Sequence, residues 1–157
     1  MQAHVKQDFT RRISKANKTE LVEIIFDICF AYMEEAKAAK EAQEHNAFKD
    51  AVRGATRTVQ QLKANLNFEY PIAAQLYRLY QFALERLSVS MYRYDLSGIE
   101  EAKVVLRPIK EAFAELARQD SSGPMMHNTQ KVYAGMTYGR NELSENLIGD
   151  INRGFLA

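Results

Sequence analysis

The chain has 157 residues, 46% hydrophobic and 26% charged, which suits one domain with a real core and excludes a disordered chain. The 21 lysines and arginines nearly balance 20 aspartates and glutamates, and a net charge of +1 gives no reason to expect a nucleic-acid or membrane partner. A single cysteine excludes an intrachain disulfide, no apolar run approaches the ~18 residues of a membrane span, and "MQAHVKQDFTRR" has no apolar signal core, so a cytoplasmic protein is expected.

In the N-terminal segment, Val5, Phe9 and Ile13 stand four apart and would share one face of a helical turn, with Lys6, Gln7, Asp8, Arg11 and Arg12 on the wet side. So short a segment is marginal as an isolated helix, for which about 12–15 residues are needed. It is expected to lie on apolar surface elsewhere in the protein, as a capping segment.

The first predicted helix covers residues 19–43, with Asn17 or Thr19 as its cap. Leu21, Ile24, Ile25, Ile28, Tyr32 and Ala36 make one face, and Val22, Phe26, Cys29, Phe30 and Met33 a second. Glu23, Asp27 and Glu34 leave only a narrow polar stripe, so this helix must be covered from several sides. Cys29, inside the apolar run, reads as a buried small hydrophobe.

The second predicted helix, residues 47–64, repeats Phe48, Val52, Ala55, Val59, Leu62 and Leu66 at steps of four and three, a narrow bundle seam. The third covers residues 71–94, with Pro71 suited to its first turn. Ile72, Leu76, Leu79, Ala83 and Leu87 are assigned to the core, Tyr80, Leu84 and Met91 broaden that face, and Tyr77, Phe82 and Val89 lie further round. The fourth, residues 97–118, carries Ile99, Ala102, Leu106, Ile109, Phe113 and Leu116, with Ser97 and Glu100 as a capping box and a kink at Pro108.

Short connections make neighbouring helices antiparallel. The expected fold is all-α: an up-and-down four-helix bundle over residues 1–120, including the N-terminal extension, and a mobile or lightly docked tail over residues 121–157. "SSGPMMHN" reads as the linker into that tail, whose apolar residues show no sustained period.

No chemistry-bearing pattern occurs. His4, His45 and His127 lie in expected ends, loops or tail, and none follows a glutamate by three positions, as a di-metal bundle would require. The chain contains no P-loop, GxGxxG, GxSxG or CxxC pattern. The expectation is a protein that is not an enzyme, with no cofactor and no metal.

Several stretches resemble the FliS family of flagellin export chaperones. Ala16-Asn17-Lys18-Thr19-Glu20-Leu21 followed by Ile25-Phe26-Asp27 stands where that family has Ala-Ser-Pro-Glu-Glu-Leu and Leu-Tyr-Asp. Asn65-Leu66-Asn67, Ile72-Ala73, Gln75-Leu76, Leu79-Tyr80-Gln81-Phe82 and Leu87 follow its loop and third helix. Lys110-Glu111-Ala112-Phe113 stands for its Arg-Glu-Ala-Trp. The similarity covers residues 5–118 and departs from the family at the Ser-Pro cap and at the tryptophan. It implies a cytoplasmic chaperone that binds the disordered C-terminal segment of flagellin in hydrophobic grooves, prevents premature polymerisation and assists delivery to the export gate.

The residue pattern agrees in a coarser way. The first and third predicted helices carry more apolar positions than the roughly three in seven that a bundle helix needs. The surplus suits a groove for amphipathic partner helices, or it packs against the N-terminal segment or the tail. Pattern and resemblance together give Phe26, Phe30, Leu66, Phe68, Tyr70, Tyr77, Tyr80, Phe82 and Leu84 as candidate partner-binding residues, with Val5, Phe9 and Ile13 capping the groove. The alternative is a helical adaptor or dimerisation module for another amphipathic helix.

Overall fold

The computed structural model describes residues 1–126; the expectation of a mobile tail falls, for residues 127–157, outside the described residues. The described residues form five α-helices: α1 (Ala3–Lys15), α2 (Lys18–Glu41), α3 (His45–Ala64), α4 (Ile72–Arg93) and α5 (Ser97–Gln119). Four of them lie where the sequence places them. The fifth is α1, where a segment too short to hold helix alone is helical because it has something to dock on. Phe9 and Ile13 pack against the hydrophobic core, Arg12 pairs with Asp27 of α2, and the Met1 amine pairs with Glu35.

The start of α2 is a full capping box. The Asn17 side chain accepts from Glu20 N–H at 2.9 Å, and the Glu20 carboxylate accepts from Asn17 N–H at 2.9 Å. The box expected at Ser97 and Glu100 does not form. Leu96 is the N-cap of α5 and Ser97 is already helical. Asp95 instead accepts from Ser97 N–H at 3.1 Å and from the Ser97 hydroxyl at 2.6 Å. One turn further in, Ile99 N–H donates to the buried Ser90 hydroxyl at 2.9 Å, so α4 caps α5 from the side. The helix continues through Pro108.

The packing pairs are α2 with α3, α3 with α4, α4 with α5, and α5 with α2, which closes a ring, with α1 on the outside of α2. Named contacts fix the direction of each pair. Across α2 and α3, Cys29 meets Ala55 and Tyr32 meets Gly54. Across α3 and α4, the Phe48 ring meets Tyr94 edge-on at 4.9 Å, and Lys63 donates to Gln81 at 2.9 Å. Across α4 and α5, Arg86 pairs with Glu101 and Ser90 with Ile99. Across α5 and α2, Lys110 pairs with Asp27 at 2.7 Å and Lys103 with Glu34. In every pair, residue numbers rise on one helix as they fall on the other.

Phe26, Met33, Phe48, Val59, Tyr80, Leu87, Ile99 and Leu106 fill the centre. Cys29 is buried as expected, and desolvation pushes its thiol up to about 12. Hydrogen bonding to Lys103 holds the Glu34 carboxyl below its ordinary range. That pair therefore supports the fold above the usual carboxylate pKa, and its contribution falls away as pH drops through the lowered value.

At Gly98, α5 lies close against the backbone of α4. A Cβ at this position would stand 1.9 Å from the Arg86 carbonyl oxygen, which is backbone and cannot swing aside. Gly98→Ala is expected to destabilise the fold by about 2–3 kcal/mol through forced separation of the two helices. A thermal melt followed by circular dichroism checks this, and an unchanged midpoint would contradict it.

Residues 120–126 fold back on the corner between α1 and α2. Thr19 donates to Asp120 at 2.7 Å, Asn17 donates to the Ser122 carbonyl at 3.3 Å, and Met125 N–H donates to the Ala16 carbonyl at 3.0 Å. The Met125 side chain packs against the core.

Candidate functional site

The buried face of α4 is Ala73, Tyr80, Ala83, Leu87 and Ser90. Ala83 and Leu87 are core, as the sequence reading has them, and Leu76 is half-buried against it. Ile72 and Leu79 are not: both are exposed, and Tyr80 occupies the centre. The helix is turned by part of a step relative to the pattern of its largest aliphatics. Small side chains at Ala73, Ala83 and Ser90 let α4 approach its neighbours, while the Tyr80 ring fills the space against Phe26 at 6.3 Å.

This placement corrects two of the candidate partner-binding residues. Tyr80 is 1% exposed and Phe26 is 0% exposed, with Phe26 also against the Phe113 ring at 6.0 Å. Neither offers surface to a partner in this state. Burial also pushes the Tyr80 phenol up, away from any titration near neutral pH.

The turn of α4 that buries Tyr80 puts bulky apolar groups outside. Among the described residues, six of the nine exposed large apolar side chains fall within residues 68–82: Phe68, Tyr70, Ile72, Tyr77, Leu79 and Phe82. Ile72 and Leu79 are seven apart, and Phe82 follows one turn later, so the three form a strip along one flank of α4. Tyr77 lies on the other flank, its ring 6.0 Å from that of Phe68 and 4.9 Å from the Lys63 ammonium. Arg86 stands 5.6 Å from the Phe82 ring centroid. Leu116, exposed near the end of α5, belongs to the same end of the ring as Ile72, because α4 and α5 run in opposite directions. So dense a cluster is unlike the isolated surface aliphatics found on any protein.

The other candidates are half-buried. Phe30, Leu66 and Leu84 pack against the core. Leu84 lines a cleft between α3 and α4 with Arg53, Thr56, Arg57, Ser88 and Met91. Phe30 lies under the Lys110 ammonium at 5.3 Å. Lys110 and Arg12 share Asp27, so α1, α2 and α5 meet around that carboxylate.

A single groove drawing on the surplus of both α2 and α4 does not form, because these helices stand across the ring from each other. The two surpluses meet different fates. Phe9 and Ile13 of α1 lie on the α2 side, with Val5 half-buried nearby in sequence. The α4 strip, in contrast, is open. Sequence reasoning missed Ile72 and Leu79 as surface groups. The signal that could have found them is the row of small residues, Ala73, Ala83 and Ser90, which marks the closely packed face.

Among the described residues, no group of histidine, cysteine and acidic side chains gathers as a metal site would, and no helix is long and apolar enough to cross a membrane. The surface can exclude water from another apolar surface.

Comparison with curated proteins finds no match. The model of the family described as FliS, flagellar protein FliS, matches residues 1–120, which takes in all five helices. The chain therefore belongs to the FliS family, a family of flagellar export chaperones.

Proposed function

We propose that this protein binds the C-terminal segment of newly made flagellin in the cytoplasm, keeps it from premature polymerisation and assists its delivery to the export gate. The reading takes α2–α5 as an antiparallel up-and-down four-helix bundle and α1 as its removable cap. The observation that carries it is the crowding of exposed rings and aliphatics into residues 68–82 of a FliS-family chain.

The energetics suit a disordered client. Such a segment loses about 2–5 kcal/mol on ordering, which burial of about 1,000–3,000 Å² outweighs. Tyr70 and Tyr77 have an apolar ring and a polar tip, so the empty surface tolerates water. Binding of this kind breaks no bond and requires no nucleotide; handover to a component of the export gate would release the client. Mixing the full chain with monomeric flagellin should give a one-to-one complex on size-exclusion chromatography. Separate elution of the two proteins at micromolar concentration would contradict the proposal.

On the α2 side, the client would have to displace α1. A cap that must leave lowers apparent affinity by the fraction of molecules in which it is closed. Phe9→Asp, which removes one of the two contacts of α1 with the core, is expected to raise binding of a hydrophobic dye and to tighten flagellin binding or leave it unchanged. Loss of flagellin binding by a variant that remains folded would make α1 part of the client site instead.

A further inference from the structure

We propose that the cleft between α3 and α4 docks an acidic amphipathic helix of a partner protein, at a surface separate from the α4 strip. Leu84 and Met91 stand seven apart, on the flank of α4 that carries Tyr77 and away from Ile72 and Leu79. With Leu87 they form the apolar floor of an open cleft of about 290 Å³. Arg53, Thr56 and Arg57 of α3 make its wall, and Ser88 is the polar group on the α4 side. The inference does not depend on what the α4 strip binds.

The first argument is charge. Helix α3 carries Lys49, Arg53, Arg57 and Lys63 against the single carboxylate of Asp50, a net +3 on one helix of a chain whose total is +1. Lys49, Arg53 and Arg57 are all exposed and four apart, so they form one row along α3 with about 6 Å between successive members. Arg53 pairs with Asp50 at 2.9 Å, yet its side chain is still 58% exposed. Arg57 forms no ion pair among the described residues. Glu85 follows Leu84 on α4 but does not line the cleft.

The second argument is the pairing of that row with an apolar floor. A polyanion without apolar groups would meet the cations and leave Leu84 and Met91 wet. An apolar segment without carboxylates would leave the guanidinium groups unpaired at the edge of a dry contact. An amphipathic helix with carboxylates four apart meets both demands. Its aliphatic side chains enter the cleft, and its carboxylates face Arg53 and Arg57, whose planar groups can take them with two parallel hydrogen bonds each.

The test uses the full-length chain, its variants Arg57→Glu and Arg53→Glu/Arg57→Glu, and a fluorescent helical peptide. The peptide has about 18 residues of Leu, Glu and Ala, with Leu on one face and Glu four apart beside it. Fluorescence anisotropy reads the affinity, and the amide chemical shifts of Thr56, Arg57, Ser88 and Met91 read the place of binding. The expected result is saturable binding that weakens with added salt and shifts those amides. Affinity should fall about tenfold or more in the double variant and by less in Arg57→Glu, at unchanged melting temperature. No binding, or equal affinity in wild type and variants, would overturn the proposal. Equal binding of a control peptide with Ser in place of Leu would also overturn it, by making α3 a general surface for anions. Displacement of the peptide by monomeric flagellin would overturn it too, by assigning the cleft to the client.

Discussion

Tyr80→Ala is expected to cost the protein about 3–5 kcal/mol of stability, the range for truncating a fully buried aromatic side chain. The Tyr80 ring sits at the centre of the core, against Phe26, with Ala83 and Leu87 on the same face of α4. Phe26 also lies against the Phe113 ring, so its own packing would be disturbed as well. The midpoint of a thermal melt should fall by roughly 10 °C or more. Whatever fraction stays folded should bind a partner normally, since Tyr80 presents almost no surface. A variant with a normal melting temperature and lost partner binding would place the ring in the site and not in the core.

The opposite outcome is expected one position earlier. Leu79→Asp combined with Phe82→Asp should leave the melting temperature close to that of the wild type, because both side chains already face water. Affinity for the flagellin C-terminal segment should fall about 100-fold or more, as when central apolar anchors are removed from an interface. The two aspartates remove apolar area and also force a charge into a surface that must dry on binding. Calorimetric titration of variant and wild type reads this directly. Unchanged affinity would remove the α4 strip from the proposed client site.

The contrast between residues 79 and 80 shows how much of the site the sequence could reveal. Spacings of three and four brought out α2, α3, α4 and α5, with ends within about two residues, because a helix buried on one face must repeat in that way. The Asn17 cap was legible because its chemistry is local. The phase of α4 was not. Large aliphatics pointed to Ile72 and Leu79 as core, but the buried face is chosen by how closely neighbouring helices approach, which small residues at Ala73 and Ser90 permit.

Burial of Phe26 and the helicity of α1 both have a tertiary cause, the first misread from the sequence and the second expected only on a surface to lie on. Phe26 lay on a second apolar face that pattern and resemblance together assigned to a partner; α3, α5 and α1 cover α2 from several sides, and Phe26 is fully buried. The helicity of α1 depends on Arg12, Phe9 and Ile13 meeting α2 and the core, contacts more than ten residues away in sequence. The Ser97 box failed for a smaller reason: Asp95, two residues earlier, takes both of the hydrogen bonds that Ser97 can donate.

The central claim is that a FliS-family chain with this open strip holds the C-terminal segment of flagellin. It is tested most directly by calorimetric titration of the full-length protein against monomeric flagellin and against the same flagellin lacking its C-terminal segment. The account predicts one-to-one binding at micromolar affinity or tighter with the first, and no binding with the second. Equal binding to both, or no heat with either, would contradict it.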